Sequence, residues 1–433
     1  MRIERKAYLD LLVSRMNNGR AKVITGLRRS GKSYLLFEIF AEHLMKTGVP
    51  AKNIVKVALD DDVSAHLRNP LKLGEHIRNK LKGRGRHYVL IDEIQMCEAC
   101  DNPAVAGGKV DFYDVLNGLL RMDQVDVYVT GSNSKLLSSE IATSFRGRGD
   151  IIDVHPLSFA EYLPASGLEE FRALQKYMVY GGMPGAALEA DDTGRARYLK
   201  GLFEEIYLKD LAEHHKLRDE AALNAVCDVL CSATGSLTNP NRLANSLKTN
   251  MKIDISNHTV GKYLDYMVDA FIFRRAQRYD VKGRRYLEYP SKYYCEDVGL
   301  RNARLNFRQT EYTHLMENII YNELIGRGYS VDVGVVPVEQ TQGGKRELVQ
   351  KEIDFVVNSG AGKVYIQSAF AIENEEKRAQ ELSAFAQIKD TFPRLVVIGG
   401  MEPSHVGDDG IRYVNISDFL LDRYILSSLL GSP

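Results

Sequence analysis

Residues 21–44 read as a strand, a glycine-bearing loop and a helix, in that order. Ala21-Lys22-Val23-Ile24-Thr25 is strand-like, Gly26-Leu27-Arg28-Arg29-Ser30-Gly31-Lys32-Ser33 follows directly, and an apolar-periodic segment runs from Tyr34 to Leu44. A G-x-x-x-x-G-K-S loop between a strand and a helix is the arrangement that cradles a phosphate chain. The glycines let backbone N–H groups turn inward around the anion, and the helix start adds the positive end of its dipole. On this reading Gly26, Gly31, Lys32, Ser33 and Tyr34 bind the nucleotide, with Lys32 on the outer phosphates and Ser33 a magnesium ligand. A plain strand-to-helix turn can carry the same octapeptide, so further pieces are needed.

Two are present. His87-Tyr88-Val89-Leu90-Ile91-Asp92-Glu93 is an apolar run that ends in adjacent carboxylates and resembles a Walker B strand. Consecutive apolar residues suit a strand covered on both faces. Asp92 at its C-terminal edge can reach magnesium through water, and Glu93 can orient and deprotonate an attacking water. A third strand, Val125 to Thr130, ends in Gly131-Ser132-Asn133, where Asn133 is the natural sensor of a terminal phosphate. ATP and magnesium are the expected cofactors, with Lys32, Glu93 and Asn133 in catalysis and Ser33 and Asp92 on the metal.

These motifs, with Asn53 to Asp61 as a further strand, resemble the core of an AAA+ ATPase of the additional-strand P-loop class. More narrowly, Ile91-Asp92-Glu93-Ile94-Gln95, Thr130-Gly131-Ser132-Asn133-Ser134-Lys135, Phe145-Arg146-Gly147-Arg148, Pro156-Leu157-Ser158-Phe159 and Gly181-Gly182-Met183-Pro184 resemble a large family of prokaryotic ATP-binding proteins. That family joins an AAA-type domain to a C-terminal domain of unknown function with nuclease-like ancestry, and the likeness covers nearly the whole chain. It implies an α/β fold: a P-loop AAA+ core with a parallel sheet over residues 1–155, a helical lid over 156–215, a winged helix over 216–305 and a restriction-endonuclease-like α/β domain over 306–433. It also implies that an arginine after the sensor strand, Arg148 or its neighbour Arg146, reaches the phosphate of an adjacent subunit in a homo-oligomer. The segment Met96 to Val110 departs from the pattern as an insertion, either a partner-contacting loop or a tolerated surface excursion.

Length agrees with several cores, since 433 residues correspond to about three domains. With 44% hydrophobic and 26% charged residues, neither a disordered nor a fibrous chain is at hand. The 57 basic and 57 acidic residues cancel, so affinity for nucleic acid must come from a local patch. No secretory leader and no apolar stretch of membrane-spanning length is read, which places the protein in the cytoplasm with no membrane partner. Five cysteines, with a lone Cys97/Cys100 pair and Cys227/Cys231 at helical spacing, favour thiols over a disulfide framework or a four-ligand zinc site.

Between Asp219 and Leu300 three helices are expected, one with Leu223, Val226, Cys227 and Leu230, a second opened by Asn239-Pro240 and a third opened by Ser256-Asn257. A hairpin follows, Arg274 to Tyr279 and Arg284 to Tyr289, turning at Lys282-Gly283. Three helices and a hairpin make a winged helix. Arg274, Arg275, Arg278, Lys282, Arg284 and Arg285, interleaved with Tyr279, Tyr286 and Tyr289, could hold DNA or RNA through phosphate contacts and ring packing; a protein-contact face is the alternative.

From Thr310 the order helix, strand, strand, strand, helix, strand resembles the restriction-endonuclease-like fold, with Glu317 on the first helix and Asp354 on the second strand. Where that fold carries Glu-x-Lys, this chain has Gln367-Ser368-Ala369, and neither a neutral amide nor a methyl group serves a magnesium site. Lys389, on the following helix, is a candidate replacement for the missing lysine. The leading reading is a magnesium-dependent ATPase that repositions a winged helix and an inactive nuclease-like domain. An ATP-controlled nuclease, a protein-binding switch and a nucleic-acid-binding regulator are the alternatives.

Overall fold

A computed structural model of the chain describes residues 2–132, 148–215, 217, 219–308, 310–342, 345–360, 362–371 and 375–430. It divides into two compact units, Met1–His155 with Asp269–Phe271, and Pro156–Val268 with Ile272–Pro433.

Buried apolar runs build the first unit. Strands β1 (Ala21–Thr25), β2 (Ile54–Ala58), β3 (His87–Asp92), β4 (Val125–Thr130) and β5 (Gly149–Asp153) form a parallel sheet in the order β2-β3-β4-β1-β5. Every residue of β1, β3 and β4 is buried, because helices cover both faces. Side chains alternate between those faces. Val89 and Ile91 join a cluster with Leu73, Ile77, Phe112 and Leu116. Tyr88 and Leu90 join another with Leu36, Phe40 and Leu44. Lys22 interrupts the apolar pattern of β1 and is neutralised across the sheet by Asp126, which also accepts a hydrogen bond from the Tyr128 hydroxyl at 2.8 Å. The segment after β3 is pinned by a two-residue antiparallel ribbon, Cys100–Asp101 with Lys109–Val110.

In the second unit, residues 156–215 are helical from Phe159–Ser166 through Lys209–His214. The motifs Pro156-Leu157-Ser158-Phe159 and Gly181-Gly182-Met183-Pro184 meet here. Leu157 N–H donates to Gly182 O at 2.7 Å, and Gly182 N–H donates to Asp297 Oδ2 at 2.6 Å. A β-carbon on Gly182 would lie 2.1 Å from the Leu157 carbonyl oxygen, and one on Gly181, whose φ is +68°, would lie 2.1 Å from Asp297 Oδ1. Only glycine fits at either place. Asp297 in turn caps the helix Val298–Arg304, accepting from Leu300 N–H at 3.1 Å.

Helices Glu220–Ser232, Pro240–Ser246 and Asn257–Asp269 follow, the second capped by the Asn239 side chain. Next come β6 (Phe273–Asp280) and β7 (Arg285–Cys295), an antiparallel pair. Strand β7 runs six residues beyond the expected Tyr289. It passes Pro290, which falls in the irregular stretch where the pairing jumps from Arg278↔Leu287 to Ala276↔Lys292, so no ladder donor is required there. The pair is the edge of a larger sheet, since β6 lies parallel to β8 (Ser330–Gln342). With β9 (Lys345–Ser359), β10 (Gly362–Ala369), β11 (Arg394–Ile398), β12 (His405–Val406) and β13 (Arg412–Asn415), the order is β12-β13-β11-β10-β9-β8-β6-β7. Helix Tyr312–Gly326 packs on this sheet. Lys389, expected on a helix, instead lies exposed beyond a turn at Phe385–Gln387, because the helix ends at Glu381. Among the described residues no helix is long and apolar enough to cross a membrane.

Candidate functional site

Strand β1 ends at the loop Gly26–Ser33, and the helix after it starts at Lys32, continuing through a π-helical stretch at Leu35–Phe40. Gly26 has φ +130°, and a β-carbon there would sit 2.1 Å from Val154 O. Lys32 turns back on its own loop. Its ammonium donates to Gly26 O at 3.0 Å and Leu27 O at 2.9 Å, and it is 4% exposed. Burial pushes its pKa down to about 8, against the pull of Glu93 and Asp92. Tyr34, one turn into the helix, is exposed.

Asp92 closes β3 beside this loop. Its carboxylate hydrogen-bonds the Ser33 and Thr130 hydroxyls, and burial nevertheless raises its pKa. Ser33 and Asp92 thus present hard oxygen donors side by side. That set suits magnesium, which keeps most of its shell as water and phosphate oxygen.

Glu93 has a left-handed backbone, φ +52°, a conformation that a non-glycine residue holds only when its surroundings impose it. Thr130 imposes it: the Glu93 N–H donates to Thr130 Oγ1 at 3.0 Å, so one hydroxyl orders both acidic residues. Glu93 Oε2 accepts from Gln95 Nε2 and from Ser132 Oγ, the latter at 3.3 Å. The sequence pattern around Gln95 assigns it no role. Its position two residues past Glu93, beyond the end of β3, is what aims it back.

Arg5 is a second residue that sequence reading missed. Buried to 3% exposure, it donates to Ser30 O at 3.1 Å and His155 O at 2.7 Å, tying the loop to the chain beyond β5. Arg5 stands in the charged run Arg2-Ile3-Glu4-Arg5-Lys6, and nothing in that run marks it as the buried charged member. Asn133 and Arg146 lie outside the described residues. Arg148 is exposed at the start of β5, where its carbonyl accepts from Ala21 N–H at 2.8 Å. That is the far end of β1 from Gly26, so within one chain it does not join Lys32, Ser33, Asp92 and Glu93.

In the second unit Glu317 and Asp354 do come together, around a lysine nobody would infer from spacing. Lys292 Nζ from β7 lies 2.8 Å from Glu317 Oε1, 2.7 Å from Glu352 Oε1 and 3.8 Å from Asp354 Oδ1. Gln367 lies beside them, its Oε1 3.5 Å from Asp354 N. Of the basic hairpin residues, Arg274 pairs with Glu296, Arg275 donates to Ser291 Oγ at 3.3 Å and Arg278 to Gln350 Oε1 at 2.8 Å. Lys282, Arg284 and Arg285 are exposed.

The parallel sheet and the loop-plus-carboxylate edge define a P-loop domain of AAA type, and residues 18–163 match the AAA domain family model. Residues 171–311 match a domain of unknown function (DUF8612). The chain belongs to the family of an uncharacterized protein of Haemophilus influenzae, to which it is 33% identical over 426 residues, spanning 97% of this chain and 98% of that one. It is also 28% identical over 386 residues to an uncharacterized protein of Methanocaldococcus jannaschii, spanning 85% of this chain and 79% of that one. Among solved structures, a Walker-type ATPase of Pyrococcus abyssi is similar with a TM-score of 0.47 at 14% identity, over 70% of this chain and 96% of that one.

Proposed function

We propose that the protein is a magnesium-dependent AAA+ ATPase in which ATP binding and hydrolysis rearrange the winged-helix segment, residues 216–305, and a nuclease-like but inactive domain, residues 306–433. The observation that carries this reading is the meeting of Lys32 and Ser33 with Asp92 and Glu93 at one edge of the parallel sheet.

Lys32 leaves the carbonyls of Gly26 and Leu27 to bind the outer phosphates, while Gly26 and Gly31 let the loop amides face them. Tyr34 is available to the nucleotide at the helix start. Ser33 and Asp92 would hold magnesium, whose charge offsets that of the phosphates. Glu93 turns from Gln95 and Ser132 to accept the proton of the attacking water, so Gln95 restrains the base until phosphate arrives. Asn133 is assigned to the terminal phosphate by its place after β4, and Arg148 to the site of a neighbouring copy, because its own loop is out of reach. The lid assignment for residues 156–215 and the cytoplasmic location rest on the sequence pattern.

Nucleic acid is the proposed partner of the exposed hairpin cations. A protein partner is the second reading, favoured by the engagement of Arg274, Arg275 and Arg278 within the protein itself. The test of the nucleotide assignment is ATP titration of wild type and Lys32→Ala. Wild type should bind, and the variant should bind at least about 100-fold more weakly, as loss of a buried charge-to-phosphate contact implies. Equal affinities would remove Lys32 from the site.

A further inference from the structure

We propose that the Lys292 ammonium is the resident cation of the carboxylate cluster in the second unit, standing where a divalent ion would otherwise sit, and that removing it converts the cluster into a divalent-cation site. The cluster involves no residue of the nucleotide loop, and its test is independent of ATP.

The three carboxylates arrive from two elements, Glu317 from the helix Tyr312–Gly326 and Glu352 and Asp354 from β9, while the ammonium arrives from β7. Glu317 is 7% exposed, Asp354 8% and Lys292 3%. The Glu352 side chain, 32% exposed, lies at the rim, but Glu317 and Asp354, so close and so dry, cannot both remain ionised without a cation between them. Among the described residues, the cation within contact distance of all three is Lys292, at 2.8, 2.7 and 3.8 Å.

The oxygens a metal would need are already in use. Magnesium or calcium takes oxygen ligands at about 2.0–2.6 Å, and an ammonium nitrogen 2.7 Å from Glu352 Oε1 and 2.8 Å from Glu317 Oε1 occupies that space. Glu317 Oε1 also accepts from the Tyr294 hydroxyl at 2.6 Å, and Asp354 Oδ2 accepts from Ser368 N–H at 2.8 Å. The surroundings close over the Glu317 side of the cluster. A β-carbon on Gly235 would meet the Glu317 carboxyl group at 3.4 Å, and the Tyr294 ring stacks on Tyr321 with centroids 4.2 Å apart. Gln367 adds a neutral amide, directed 3.4 Å from Glu381 Oε2. Among the described residues no group of three His, Cys, Asp or Glu side chains has an arrangement that would hold a metal. The carboxylates are spaced around an ammonium instead.

The experiment uses the full-length, nucleotide-free protein, with manganese titrated by electron paramagnetic resonance and thermal unfolding followed in EDTA or manganese. Wild type and Glu317→Gln should bind manganese identically. Lys292→Met should melt at lower temperature in EDTA and gain one manganese site, which the added Glu317→Gln change abolishes. Manganese at a hundred times the dissociation constant of that site should raise the folded-to-unfolded ratio of Lys292→Met about 100-fold. If Lys292→Met does not fold, the variant that also carries Glu317→Gln and Asp354→Asn should, because the two buried charges are gone and Glu352 is left at the partly exposed rim. A manganese site in wild type that Glu317→Gln removes would overturn the proposal. So would a Lys292→Met protein that is as stable as wild type in EDTA and gains no site, or a triple variant that fails to fold.

Discussion

The ammonium of Lys32 is sealed between carbonyls of its own loop, and burial holds its pKa at about 8. Phosphate needs the charged form. The depressed pKa means that the ammonium is present below about pH 8 and is lost as the pH rises through that value, so ATP affinity should be steady from pH 7 to 8 and then fall by up to about tenfold per unit. Calorimetric titration from pH 7 to about 9.5 reads this directly, with proton uptake on binding appearing above pH 8. A dissociation constant that stays flat to pH 9.5 would mean that the lysine does not carry the phosphate charge. The same loop shows why some residues escape sequence reading. Lys32 sits in a spaced motif whose chemistry is explicit, whereas Arg5 donates to the carbonyls of Ser30 and His155, and a contact to backbone imposes no residue pattern on its partner.

Among the elements, the joint between Gly181-Gly182 and the start of the helix Val298–Arg304 is the most exacting. Asp297 is buried there, and burial pushes its carboxyl up to about 6 while the amides of Gly182, Leu300 and Gly299 pull it down. A carboxyl whose pKa is raised in the folded state binds its proton more tightly than the unfolded chain does. Its contribution to stability is therefore full below about pH 4 and is lost as the pH rises through about 6, a difference of about 3 kcal/mol. Chemical denaturation of wild type and Asp297→Asn at several pH values across this window should show the wild type losing that much relative to the variant. Parallel curves would show that Asp297 ionises at its ordinary value.

The strands of the P-loop unit were legible because they are buried on both faces, so four apolar residues in a row at Tyr88–Ile91 leave few other structures. The same rule failed at β7. An edge strand that mixes Arg, Tyr, Glu, Pro and Lys shows no apolar run, and the expected hairpin stopped at Tyr289, three residues short of Lys292. With the lysine hidden on another segment, Lys389 looked like the substitute; the end of the helix at Glu381 leaves it in solvent. Glu317 and Asp354 were singled out through the resemblance to the restriction-endonuclease-like fold, but what joins them was not legible, since pairing of β6 with β8 is a long-range contact that no local spacing encodes.

For the molecule as a whole, a net charge of zero leaves nucleic-acid binding to local cations, and in the hairpin these are Lys282, Arg284 and Arg285. Replacing Arg284 and Arg285 together should weaken binding to duplexes of any sequence and lower the slope of log affinity against log salt by about two. Unchanged binding, or none by wild type at low salt, would favour a protein partner. The central claim is that this fold hydrolyses ATP with Glu93 as the base while Lys32 holds the phosphates. Glu93→Gln keeps the side-chain shape and removes the basic oxygen, so it separates the two tasks. Measured side by side with wild type, Glu93→Gln should bind ATP with undiminished affinity and release phosphate at least about 100-fold more slowly; phosphate release at the wild-type rate would contradict the account.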